Sequence, residues 1–177
     1  MRLKDKFIPD YMFDNVLRIK PEFFSENGIE YVISDIDNTL ATYDEELPCD
    51  DVKAWLDRVE ASGVRIGLIS NNSEKRVYKF NSVLGYLTVS RAGKPFCGKL
   101  KKLMKELGAD KEHTCFIGDQ IFTDVLCAKK AGIRAVMVRS LDVTGRPFLQ
   151  FKKHFEEYFT EQYIERHLDE YGKGRRK

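Results

Sequence analysis

From Gly28 onward the chain alternates short β-rich runs with helical patterns, and most of the helical stretches stop at a glycine. Strands are read at Tyr31–Ser34, Val64–Ile69, Tyr86–Val89, Thr114–Ile117 and Arg134–Val138, with helices at Asp50–Ser62, Ser73–Leu84, Pro95–Leu107 and Thr123–Ala131. Gly63, Gly85, Gly108 and Gly132 follow the four helices, where a residue able to adopt the left-handed conformation ends a helix without steric clash. Five strands joined by crossover helices predict an α/β fold, a doubly wound parallel five-stranded sheet with helices on both faces. At 177 residues the chain is long enough for one well-packed domain and short for two. We therefore expect a single domain over 1–177: a core at 28–140, an apolar N-terminal segment at 1–27, and a C-terminal helix at about 147–170 with a basic tail.

In open α/β sheets, ligands bind beyond the carboxyl ends of the strands, where the strand order reverses. Polar clusters gather at those ends: Asp35 and Asp37 after the first strand, Ser70-Asn71-Asn72 after the second, Lys94 after the third, and Gly118-Asp119-Gln120 with Asp124 after the fourth. Asp35-Ile36-Asp37 places two carboxylates two residues apart, which on an extended chain point to one side. Like charges that close raise one pKa unless a cation or proton lies between them, so the pair suggests a metal, an acid/base pair, or both. An Asp-rich turn capping the next helix is the plainer alternative for that segment taken alone.

Taken together, the four clusters suit phosphoryl transfer. A phosphate monoester brings negative charge toward Asp35, and a divalent cation would remove that repulsion. Mg²⁺ prefers hard oxygen ligands and keeps several waters, so one or two carboxylates and a backbone carbonyl suffice. Asp35 and Asp119 are suitable, with the carbonyl of Asp37 beside them. The Ser70 hydroxyl, nearby N–H groups and the Lys94 ammonium can stabilise charge on the equatorial oxygens. If Asp35 attacks phosphorus, the departing alkoxide needs a proton and a later water must lose one; the carboxyl group of Asp37 can serve both steps.

These residues resemble the four motifs of the haloacid dehalogenase (HAD) phosphatase superfamily. Asp35-Ile36-Asp37-Asn38-Thr39 is similar to the nucleophile motif, Ser70-Asn71 to the second, Lys94-Pro95 to the third, and Gly118-Asp119 with Asp124 to the acidic fourth. The resemblance spans Tyr31 to about Ser140. It implies Asp35 as nucleophile, Asp37 as acid/base, Ser70, Asn71 and Lys94 around the phosphate, Asp35, Asp37, Asp119 and Asp124 about the metal, and Mg²⁺ as cofactor. It also implies a Rossmann-like sheet of order 5-4-1-2-3, with the switch point between the first and fourth strands. Within the superfamily the chain is most similar to the YqeG-type group of subfamily IIIA, related to phosphatidylglycerophosphate phosphatases. Lys6-Phe7-Ile8-Pro9-Asp10, Ser70-Asn71-Asn72-Ser73 and Gly118-Asp119-Gln120 with Thr123-Asp124 carry that resemblance.

Many members of the superfamily select substrates with an inserted cap domain. Here 34 residues separate Asp35 from Ser70 and 23 separate Ser70 from Lys94, and both spans are filled by core elements. An uncapped site can accept the phosphate of something large, such as a lipid headgroup like that of phosphatidylglycerophosphate, a protein or a nucleic-acid end. It can also act on small sugar phosphates or nucleotides. The aromatic N-terminal segment, with Arg2, Lys4 and Lys6, can pack beside the sheet or meet a bilayer surface, and favours the lipid reading slightly. Phe148, Phe151, Phe155 and Phe159 lie on one helical face, which suits core packing, or else a partner or membrane surface. With 30 basic and 28 acidic residues, a formal charge of +2 gives no basic stripe and no expectation of specific nucleic-acid binding. A non-catalytic phosphate-binding scaffold would be expected to lack the nucleophile, the lysine or the metal acid, all of which are present. Cys49, Cys97, Cys115 and Cys127 lack zinc-site spacing and are read as reduced structural thiols, and His113, His154 and His167 as structural or solvated. No stretch reaches the ~20 apolar residues of a membrane span and the start lacks a signal-peptide core, so a cytoplasmic protein, with membrane contact at most peripheral, is expected.

Overall fold

The computed structural model describes residues 3–141, 158–165 and 167. Six strands form one fully parallel sheet: β1 (Tyr11–Phe13), β2 (Tyr31–Ser34), β3 (Arg65–Ile69), β4 (Leu87–Val89), β5 (Thr114–Gly118) and β6 (Arg134–Val138), in the order β1-β6-β5-β2-β3-β4. The five strands expected from the sequence are present in the expected order, with helices on both faces. The sixth, β1, adds itself at the edge by pairing Tyr11, Met12 and Phe13 with Val136, Met137 and Val138. The chain leaves β2 toward β3 and β4 on one side and returns to β5 and β6 on the other. The switch point thus lies between β2 and β5.

Side chains alternate across the sheet and divide the core in two. From β2, Val32 joins Trp55 and Leu56 of α2 (Asp50–Ala61) and Phe80 of α3 (Glu74–Asn81) on one face. Its neighbour Ile33 joins Leu100, Leu103 and Leu107 of α4 (Gly98–Leu107) and Ala128 of α5 (Leu126–Ala131) on the other. In α4 the buried leucines recur every three or four residues and leave Lys99, Lys101, Lys102 and Lys105 to solvent, so one sequence period builds both faces of the helix. Gly108 ends α4 at φ 73° and Gly132 ends α5 at φ 80°, where a side chain would be strained.

Two helices start later than their sequence patterns. α4 begins at Gly98 instead of Pro95, because the chain first makes a turn in which the Phe96 N–H donates to the Gly93 carbonyl at 2.9 Å. The pattern read at Thr123–Ala131 opens as a π-helical turn, Ile121–Val125, before α5 begins.

The N-terminal segment packs against the sheet. Ile8, Val16, Ile19 and Phe24 are buried, and Trp55 Nε1 donates to the Ile19 carbonyl at 2.8 Å. Asp10 pairs with Lys129 and its Oδ2 accepts from the Ala135 N–H at 2.7 Å, which pins β1 beside β6. The C-terminal helix is described at 158–165, where Phe159 is buried and stacks on Phe7 at 5.2 Å between ring centroids. Phe148, Phe151, Phe155, His154 and the basic tail lie outside the described residues. All four cysteines are free, and burial pushes the Cys115 and Cys127 thiols up, the latter to about 12. Among the described residues no helix is long and apolar enough to cross a membrane.

Candidate active site

The polar clusters meet at the carboxyl end of the sheet, around a cavity of about 340 Å³ lined by Asp35, Asp37, Ser70, Asn71, Lys94 and neighbouring residues. Asp35 follows β2 directly, and its N–H donates to the Ile117 carbonyl of β5, so it sits over the switch point. The chain then turns back on itself. Asn38 adopts φ 64°, its N–H donates to the Ala41 carbonyl at 2.6 Å, and Leu40 and Ala41 drop into the core. That turn gives the two aspartates separate partners. Both residues line the cavity, Asp35 against Lys94 and Asp37 against Ser70 and Arg76.

Asp35 belongs to the deeper group. Lys94 Nζ lies 2.7 Å from Asp35 Oδ1 and 2.7 Å from Asp124 Oδ1, and Asp35, Asp119 and Asp124 each place a carboxylate oxygen within 4.8 Å of the others. All four side chains are buried. Burial is the main force that pushes Asp35 up to about 7; Lys94 opposes it and Asp124 adds to it. Asp119 is also raised well above the usual carboxylate range, by burial and by the charges of Asp124 and Asp35. Burial pulls Lys94 down, but the Asp124 and Asp35 carboxylates override it and hold the ammonium above its ordinary value. Three buried carboxylates thus share one ammonium, which bridges Asp35 and Asp124, and the raised Asp35 and Asp119 mark a shortage of positive charge among oxygen donors. Those residues fit a hard divalent cation.

The backbone explains how they converge. The π-helical turn brings Asp124 back over the end of β5, where its Oδ2 accepts from the Gln120 N–H at 3.0 Å. It lies so close to Gly118 that a Cβ there would come within 2.5 Å of the Asp124 Cβ. Asp119 is approached by Thr39 Oγ1 at 3.4 Å. Asn71, expected at the phosphate, lines the cavity and its side chain grips the Lys94 backbone, with its Oδ1 accepting from the Lys94 N–H at 2.8 Å and its Nδ2 donating to the Lys94 carbonyl at 3.2 Å. That clamp sets where the lysine emerges.

Asp37 belongs to a second group. Its Oδ2 accepts from Ser70 Oγ at 2.8 Å and from Asn72 Nδ2 at 3.4 Å, and its Oδ1 lies 3.2 Å from Arg76 Nε. Its carboxylate stands outside the Asp35, Asp119 and Asp124 cluster. In the sequence Asn72 and Thr39 are marked only as members of their motifs, with no role of their own, and Arg76 is not singled out at all. Asn72 was visible as a second amide after Ser70, but Arg76 is one of 30 basic residues on a helix and nothing local marks it.

A family model described as HAD-hydrolase-like matches residues 91–161. The chain is 32% identical over 136 residues to the Bacillus subtilis protein named "Probable phosphatase YqeG", covering 77% of this chain and 79% of that one. Among solved structures, an uncharacterized protein from Listeria monocytogenes matches with a TM-score of 0.54 at 18% identity, over 67% of this chain and 85% of the other. The 3-deoxy-D-manno-octulosonate 8-phosphate phosphatase of Moraxella catarrhalis, in complex with magnesium, phosphate and the sugar acid, matches with a TM-score of 0.50 at 20% identity, over 68% and 75%. The two structures share the fold. Together with the acidic cluster around Lys94 and the identity to the Bacillus protein, they lead to one conclusion: the chain belongs to the YqeG-type group of the HAD superfamily and is a HAD-type phosphatase.

Proposed function

We propose that the chain is a Mg²⁺-dependent phosphomonoesterase that works through an aspartyl-phosphate on Asp35. The observation that carries this reading is the buried group of Asp35, Asp119 and Asp124 around Lys94, with Asp37 facing the same cavity. Asp35, Asp119 and Asp124, with the Asp37 carbonyl, would hold the cation, which when bound supplies charge neutralisation at the phosphate. The Moraxella fold neighbour, a phosphatase with magnesium and phosphate bound, is consistent with that choice.

The residues then divide the reaction. A carboxylate oxygen of Asp35 bonds to phosphorus as the bond to the leaving oxygen breaks, and that oxygen takes its electron pair and a proton from Asp37. Asp37, now a carboxylate, accepts a proton from water as the water oxygen bonds to phosphorus. The bond to Asp35 breaks, freeing inorganic phosphate and restoring the carboxylate. Lys94 Nζ, 2.7 Å from Asp35, and the Ser70 hydroxyl, which donates to Asp37 in the cavity lining, would serve as donors to the phosphate oxygens.

Both spans that could hold a cap are occupied, by α2 with β3 and by α3 with β4, so the mouth of the site is uncovered by an inserted domain. That openness favours a large or surface-borne phosphate, with phosphatidylglycerophosphate as one candidate. The N-terminal aromatics no longer add to the lipid case, because Phe24 is buried and Phe7, Tyr11, Phe13 and Phe23 pack against the core. A cavity of about 340 Å³ keeps small sugar phosphates and nucleotides as the second reading.

Hydrolysis of p-nitrophenyl phosphate by wild-type protein and by Asp35→Asn, with and without EDTA, tests the mechanism. We expect Asp35→Asn to lose about a thousandfold or more in turnover and EDTA to abolish activity that Mg²⁺ restores. Turnover that survives either treatment overturns the reading. Phosphate release across phosphatidylglycerophosphate, sugar phosphates, nucleotides and phosphopeptides then separates the substrate classes, and turnover of sugar phosphates alone removes the lipid candidate.

A further inference from the structure

Arg76 lies in the first turn of α3 and touches three parts of the site at once. Its Nε is 3.2 Å from Asp37 Oδ1, a charge contact, while Nη1 donates to the Glu46 carbonyl at 3.2 Å and Nη2 to the Thr42 carbonyl at 3.1 Å. The guanidinium lies 5.5 Å over the Phe80 ring, itself fully buried, and only 12% of the side chain is exposed. The 42–46 segment is braced in turn by Glu45, whose Oε2 accepts from the Thr42 N–H at 2.8 Å and from Thr42 Oγ1 at 3.0 Å. That segment carries Tyr43 into the cavity wall beside Asp37. One planar fork therefore links the carboxylate with the loop that borders it.

We propose that Arg76 is a positioning residue of the active site: its guanidinium holds the Asp37 carboxylate and the 42–46 loop in one fixed relation. The inference rests on the reading of Asp37 as the acid/base of a phosphatase. Proton transfer to a leaving oxygen needs the donor within hydrogen-bond reach and along a narrow range of directions. A carboxylate joined to its backbone by a rotatable bond holds that direction only if its partners do. Ser70 and Asn72 hold one oxygen, and Arg76 stands at the other. A lysine there would carry the charge but could not bridge a carboxylate and two diverging carbonyls, since a guanidinium directs its donors in a rigid plane and an ammonium does not. Arg76 does not line the cavity and its effect on the phosphate passes through the Asp37 carboxylate it contacts and through the loop.

The test compares Arg76→Ala, Arg76→Lys and Asp37→Asn with wild type on p-nitrophenyl phosphate, with thermal midpoints measured alongside. We expect Arg76→Ala to lower kcat by about 10- to 100-fold with KM little changed, Arg76→Lys to recover only part of it, and added guanidinium ion to restore turnover to Arg76→Ala and not to Asp37→Asn. An Arg76→Ala protein with wild-type kcat, or one whose loss follows its fall in thermal midpoint and is not relieved by guanidinium, overturns the inference. Should Arg76→Ala not fold, Arg76→Lys decides: reduced kcat at an unchanged midpoint supports the role, and wild-type kcat removes it. Turnover indifferent to Asp37→Asn removes the acid/base reading and this inference with it. Turnover that needs Asp37 but not Arg76 removes this inference alone.

Discussion

Gly118 ends β5 against the side chain of Asp124, and the space between them admits no methyl group, with a Cβ placed 2.5 Å from one Asp124 carbon and 2.6 Å from the next. Asp124 cannot easily retreat, since its two oxygens are engaged by Lys94 and by the Gln120 N–H. Gly118→Ala is therefore expected to cost about 1–3 kcal/mol by overpacking and to reduce turnover as well, because the same displacement moves Lys94. Denaturant unfolding and kcat measured on one preparation check both, and a variant unchanged in both would show that Asp124 has room to move. At this scale the sequence was informative about residue type. Asp35, Asp37, Ser70, Lys94, Asp119 and Asp124 could be listed from their places after strand runs, and the structure brings all of them to one cavity or its floor. Their partners could not be listed. Asn71 has the composition of a ligand-binding amide, and only the folded loop shows both ends of that amide committed to the Lys94 backbone.

The segment that delivers chain into β5 is tied by a small exposed cluster. Asp110 Oδ1 accepts from the Glu112 and His113 N–H groups at 2.8 and 2.9 Å, and His113 Nδ1 lies 2.9 Å from Asp110 Oδ2. Hydrogen bonding to Asp110 raises His113 above its ordinary value of 6.5, and hydrogen bonding to His113 lowers Asp110 below 3.8. The signs define a window. The histidine's contribution to stability is complete below 6.5 and fades as pH rises through its higher folded value, while that of the aspartate is complete above 3.8 and fades as pH falls through its lower one. An NMR titration should place the His113 midpoint above that of Asp110→Asn; equal midpoints would show that the pair does not form in solution. Other elements show where pattern reading stops. The leucine and glycine pattern of α4 was plain, because a helix face repeats within a few residues. β1 has three residues, too few to show a period, and becomes a strand only by pairing with β6 more than a hundred residues away. The π-helical turn was invisible for a related reason: Thr123-Asp124-Val125 reads as ordinary helix, and the wider turn accompanies the return of Asp124 over Gly118.

For the whole molecule, the buried cluster of carboxylates is expected to couple stability to cation binding. A cation held by the native protein and not by the unfolded chain stabilises it by about 2.7 kcal/mol at a hundred times its dissociation constant. Mg²⁺ is therefore expected to raise the thermal midpoint of wild-type protein and EDTA to reverse the rise. Asp119→Asn, which removes one of the crowded carboxylates, should lose most of that response and be no less stable than wild type in EDTA. Differential scanning calorimetry of both proteins checks this, and a wild-type midpoint indifferent to Mg²⁺ would count against the cation. Two levels of determination are then distinct in this chain. The order of elements, the parallel sheet and the candidate site side chains followed from the residues in line, because periodicity, glycine stops and polar strand ends are local signals. The division of Asp35 and Asp37 into separate groups, the cluster of carboxylates around Lys94, the bridge from Arg76 and the joining of the N-terminal segment to the sheet were decided only in three dimensions. Each depends on distances between residues far apart in the chain, set by how a twisted sheet and its two covering layers close together, and no local pattern encodes such distances.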